Sequence, residues 1–118
     1  MNVQRGDVVM VRFPFADGAT FKRRPAVVVQ NDRNNLRLDN VILAQVTTRL
    51  GPPNEPTRFV VDPKTSEGSP SGLTMRSVVA CENLSTTRKD QITEVVGHLC
   101  DAHLEQLDRC LKASLDLT

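Results

Sequence analysis

Apolar residues in this chain come in short blocks separated by polar, glycine- and proline-rich punctuation. The block around which the others are arranged is Arg23-Arg24-Pro25-Ala26-Val27-Val28-Val29-Gln30-Asn31-Asp32. Four successive apolar residues, three of them valine, predict a strand covered on both faces. Pro25 has no backbone donor, which places it at the first position of that strand or on an edge. It also biases Arg24 toward extended geometry, so the guanidinium sits at the mouth of a rigid strand. Further strands are predicted over 7–13, ended by Pro14, and over 41–47, 57–61, 73–84 and 94–99. The 73–84 stretch is long for one strand and predicts a bulge or break near Arg76.

The intervening segments read as turns. Asp17-Gly18 marks the connection before Arg23, and 31–35 reads as a turn with room for one helical turn. Segments 51–56, 62–72 and 85–90 complete the set. Only the end of the chain has a helical period. Leu104, Leu107, Leu111 and Leu115 predict one amphipathic helix over 102–115, capped by Asp101. With no comparable helix between strands, the crossovers of a parallel sheet are missing. The pattern therefore predicts a mainly β, antiparallel, curled sheet or barrel with a C-terminal helix, as one domain over 1–118.

Composition changes this picture in three respects. Net charge is only +1, but residues 1–49 carry eight Lys/Arg against four Asp/Glu, and 50–118 carry seven against ten. Eleven of the fifteen basic residues are arginine, the side chain suited to bidentate phosphate contacts, so the first half is expected to present an anion-binding surface. The chain has no Trp or Tyr and four Phe, which leaves few stacking platforms for bases. Three unpaired-looking cysteines, with no membrane-length apolar run and no signal-peptide core, predict a reducing, cytoplasmic setting.

The first chemical candidates are Arg24 and Thr47, each at a polar end of an apolar strand. If their strands are neighbours, a guanidinium and a hydroxyl converge on one phosphate. Such a pair suits transfer within RNA, in which the substrate's own 2′-hydroxyl attacks the adjacent phosphorus. Positioning and charge stabilisation then carry much of the rate, with no obligatory metal or other cofactor. Arg24 stays protonated, so its role is to clamp the phosphate and stabilise the transition state. His98 and His103 form a rival acid–base pair, for which structural roles are the plainer reading. His98, Cys100 and His103 do not complete a zinc pattern. Glu82, a charge among apolar neighbours, reads as the structural partner of an arginine.

The residues also carry a resemblance. Arg5-Gly6-Asp7-Val8-Val9, the Arg24–Asp32 segment, Ala44-Gln45-Val46-Thr47 and Ser77–Thr86 resemble successive motifs of the MazF/PemK family of toxin endoribonucleases. Leu111–Leu117 is similar to that family's terminal helix. The resemblance implies an SH3-like barrel, a homodimer and metal-independent cleavage of single-stranded RNA, including mRNA, at a short motif. It implies a cognate antitoxin as partner, and Arg24 and Thr47 as catalytic residues. The loop from Phe15 to Arg23 would gate the RNA channel. RNA contacts are expected from Phe15, Lys22, Arg23, Asn31, Arg49, Arg76 and Ser77. Met10 stands where many relatives have an aromatic, and 15–22 lacks the usual Gly-Ser-Glu-like stretch. Two alternatives share the fold: a CcdB-like gyrase poison, which relies on a C-terminal Trp-Gly-Ile that this chain lacks, and a non-catalytic nucleic-acid-binding barrel.

Overall fold

The computed structural model describes residues 2–14 and 18–118. Six antiparallel strands and two helices follow one another as β1 (Asp7–Pro14), β2 (Phe21–Val28), α1 (Asp32–Arg37), β3 (Asn40–Thr47), β4 (Arg58–Val61), β5 (Ser77–Arg88), β6 (Ile92–His98) and α2 (Asp101–Leu115). The strands form one sheet in the order β4-β5-β3-β2-β1-β6. It curls into a half-barrel whose terminal strands, β4 and β6, do not pair with each other.

Alternation along each strand sends apolar residues to both faces, because both faces are covered. On one face, Val8, Val27, Ala44, Val46, Val61 and Val79 pack against α2 through Leu107 and Cys110. On the other, Val9, Val11, Ala26, Val28, Val41 and Leu43 fill the inside of the curl with Val3 and Ile92. The valine run of β2 is therefore buried on both sides, as its pattern predicts.

Several boundaries differ from the sequence reading. β2 begins at Phe21, before the basic pair, because residues 21–25 pair with β1 alone. β5 continues to Arg88 through Ser85, Thr86 and Thr87, which partner β3 but bury little and so leave no apolar signal. The stretch predicted as strand over 73–84 breaks at Arg76, so that β5 starts at Ser77, and a bulge lies further on, opposite Ala44 and Gln45, where partners jump from Leu84 to Ala80. The residue preceding α2 is Cys100, with no side-chain cap, and Asp101 is already helical. The buried line of α2 is also displaced: His103, Leu107 and Cys110 are buried, Leu104 and Leu111 flank them, and Leu115 is exposed.

The loop before β5 is anchored by close backbone packing. Gly72 has φ +72°, and a Cβ built there would lie 2.0 Å from the Val96 carbonyl oxygen of β6. Gly72→Ala is expected to destabilise the fold by about 2 kcal/mol or more, since strain and clash combine. Urea denaturation of the variant against the parent measures this.

Candidate active site

The site begins with a break in a hydrogen-bond ladder. β2 pairs with β3 only as far as Ala26, opposite Gln45. Gly6 N–H donates to Val28 O and Val29 N–H donates to Ile42 O, so odd-numbered residues here direct their backbone groups toward β3. Pro25, on the same alternation, has no N–H to offer on that side. Pairing stops there, and the ends of β2 and β3 separate. Extending the Ala26–Gln45 register by two residues sets Arg24 across from Thr47. Both project from the face that carries Ala26, Val28 and Leu43.

Two adjoining clefts occupy the gap. One, of about 260 Å³, is lined by Lys22, Arg23, Arg24, Pro25, Gln45, Val46, Thr47, Thr48, Arg49 and Ser77. The other, of about 530 Å³, shares Arg24, Pro25, Gln45 and Val46 and adds Phe13, Ala26, Glu82, Asn83, Leu84 and Ser85. Arg24 and Thr47 thus share one concavity, and with them come Lys22, Arg23, Arg49 and Ser77.

Among the described residues Arg24 has no hydrogen-bond or ion-pair partner, so its five donors stay available to an anion. The Thr47 hydroxyl accepts from Arg49 N–H at 3.2 Å, which orients it while its own proton remains free to donate. The Arg23 guanidinium turns away to Glu94 (3.1 Å) and Thr93 Oγ1 (3.0 Å) on β6. Ser77 is buried and donates to Met75 O.

Arg76 lies in a separate cleft with Leu50, Pro52, Phe59 and Val60. Asn31 is the cap of α1, its side chain accepting from Asn34 N–H at 2.8 Å, and it is not among the cleft residues. Its neighbours are structural too: Gln30 and Asn35 bond each other, the Asn40 carbonyl and Asp32. Phe15 lies outside the described residues.

Glu82 is held by Arg58 Nε at 2.6 Å and Thr57 Oγ1 at 2.8 Å, the structural pairing its position implied. Burial opposes its ionisation, but the bonds from Arg58 and Thr57 outweigh this and keep its carboxyl below the ordinary range. A carboxylate on the cleft wall is thereby neutralised. Gln45 and Asn83, whose Nδ2 donates to Gln45 Oε1 at 2.7 Å, line the larger cleft and were not singled out from sequence. The available signal was Gln45 as a lone polar residue two before Thr47, on the same strand face.

The histidines sit elsewhere. His103 is 5% exposed with its ring against Phe59, and its Nδ1 has no hydrogen-bond partner among the described residues. His98 Nδ1 bonds Asp7 at 2.8 Å. Among the described residues no three His, Cys, Asp or Glu side chains converge on a common point. Cys81 is buried, and burial pushes its thiol up to about 12, so it is not a nucleophile at neutral pH.

The molecule is a curled antiparallel sheet with a terminal helix, and Arg24 and Thr47 line one cleft where the β2–β3 ladder ends. Residues 4–115 match the family described as PemK-like, MazF-like toxin of type II toxin-antitoxin systems, and the chain belongs to it. It is 30% identical over 118 residues to Endoribonuclease EndoA of Bacillus subtilis (strain 168), covering 99% of this chain and 97% of that protein. In fold it is similar to an endoribonuclease in complex with its cognate antitoxin from a mycobacterial species: TM-score 0.76, 22% identity, 98% and 97% of the two chains. It is likewise similar to MazE-MazF (Form-III) from Deinococcus radiodurans, with TM-score 0.77, 18% identity and full coverage of both chains.

The Glu82 geometry yields a pH prediction. Its folded pKa is below the unfolded value, taken as 4.5, so its contribution is complete above that pH and is lost on acidification. Glu82→Gln should cost about 1 kcal/mol or less at pH 7, because the pair is partly exposed. It should also lose less stability than the parent between pH 5 and 3, as thermal melts across that range would reveal.

Proposed function

We propose that this chain is an endoribonuclease toxin that cuts single-stranded RNA within its one domain, residues 1–118. The observation that carries the reading is the common lining of one cleft by Arg24 and Thr47. The scissile phosphate lies against Arg24, whose fixed charge stabilises the extra negative charge as the phosphorus becomes five-coordinate. Thr47 donates its free proton to a phosphate oxygen or holds the attacking hydroxyl. The 2′-hydroxyl gives up its proton as its oxygen bonds to phosphorus, the bond to the 5′-oxygen breaks, and that oxygen takes up a proton, so none is gained or lost overall. The products are a 2′,3′-cyclic phosphate and a 5′-hydroxyl. Neither water nor metal is consumed in the step.

Lys22 and Arg49 hold neighbouring phosphates, and their charges lie where the chain's positive half meets the cleft. Arg23 and Ser77, from the cleft lining, Asn31, from the start of α1, Arg76, from its separate cleft, and Phe15 complete the proposed RNA contacts. The protein works in the cytoplasm as a homodimer, and a cognate antitoxin silences it. The relative named as an endoribonuclease and the fold neighbour solved with its antitoxin support this.

Arg24→Ala is expected to lower kcat on RNA by roughly 10²–10³-fold, the usual loss of one preorganised donor. Its melting temperature should stay near that of the parent, because Arg24 supports no contact among the described residues. Cleavage should persist in EDTA. Oligonucleotide cleavage with mapped 5′ ends checks both; full activity in Arg24→Ala removes the residue from the site. Cleavage of RNA by the parent also separates this function from gyrase poisoning and from passive binding.

A further inference from the structure

Beyond the cleft, the β1–β2 hairpin projects as an arm. β2 leaves β3 at Ala26, and β1 leaves β6 at Val11, so residues 12–14 and 21–23 pair only with each other. Residues 12–14 and 21–24 include four cations, Arg12, Lys22, Arg23 and Arg24, and no carboxylate. Lys22 and Arg24 lie on the cleft face. Arg12 and Arg23 are directly opposed on the other, where two like charges repel. The conflict is relieved by two contacts: Arg23 turns to Glu94, and Arg12 lies over the Phe21 ring, 4.7 Å from its centroid.

Phe21 is nonetheless 49% exposed. Phe59 is buried and Phe13 packs partly against the inner core, so Phe21 is the exposed ring among the described phenylalanines. A ring with a guanidinium on one side and an open surface offers a nucleobase a flat partner next to a phosphate-binding charge. We infer that the outer face of this arm, Phe21 backed by Arg12, is a base-stacking subsite for single-stranded RNA continuing past the cleft. The inference rests on the endoribonuclease reading above. The arm's cationic strands favour a polyanion over an apolar partner, and a flat ring beside a guanidinium favours bases over a peptide.

The chain has no Trp, so Phe21→Trp introduces a single fluorophore at the subsite. Placed in an Arg24→Ala background to prevent cleavage, it should be quenched by an RNA oligonucleotide extended on both sides of the cut point. One trimmed to the two nucleotides that flank the cut bond should leave it unchanged. In the otherwise native chain, Phe21→Ala and Phe21→Leu should raise KM for the extended oligonucleotide roughly tenfold, leaving kcat and the trimmed substrate unchanged. Phe21→Trp should keep KM near the parent value. No quenching at saturating extended RNA, equal KM changes on both substrates, or quenching by an acidic peptide but not by RNA would each overturn the subsite. A parent that cleaves neither oligonucleotide would instead overturn the endoribonuclease reading, and the fluorescence measurement, which needs no turnover, would still decide stacking.

Discussion

The site depends on a hydrogen bond that cannot form. Pro25 lacks the N–H that β2 would otherwise direct toward β3, and the ladder ends one residue later at Ala26 and Gln45. In a continuous ladder, Arg24 and Thr47 would be a cross-strand pair with Cβ atoms about 5 Å apart, too close to admit a phosphate. With the ladder open, the same register aims both side chains at one space and leaves them apart. The valines after Pro25, buried on both faces, keep the rest of β2 rigid, so the opening stays local.

Charge is distributed around this gap to match. Arg23 is matched by Glu94 and Arg58 by Glu82, while Arg24 keeps its charge uncompensated among the described residues. Glu82 would repel a phosphate from the larger cleft, and Arg58 with Thr57 ties it down. What remains is a concavity whose free charges are positive, in a chain of nearly neutral overall charge. A net charge of +1 conceals this because the compensating carboxylates belong to the second half of the sequence.

The helix follows a similar logic at the far side of the sheet. Leu107 and Cys110 cover the face carrying Val8, Val27 and Val46, and Ser114 donates to the Cys81 carbonyl across the β5 bulge. His103 and Cys81 are thereby buried, which turns two residues of reactive type into packing. The opposite face of the sheet, away from α2, is the one that presents Arg24, Thr47 and Gln45.

Patterns of adjacent residues were enough to determine the strands, the terminal helix and the antiparallel arrangement, because each depends on local period and on short polar turns. Thr47 was legible for the same reason, as the polar end of an apolar strand, whereas Arg24 lies within β2, which starts at Phe21. Position in space decided the rest. The polar end of β5, with Ser85, Thr86 and Thr87 solvated, carries no periodic signal, so only its pairing with β3 reveals it. Asn31 caps α1, a role that a turn-forming run of polar residues did not single out. Gln45 and Asn83 are 38 residues apart and meet only when β3 and β5 align. Pairings at such separation are selected by the fold as a whole, through burial and register, and no local stretch of chain encodes them.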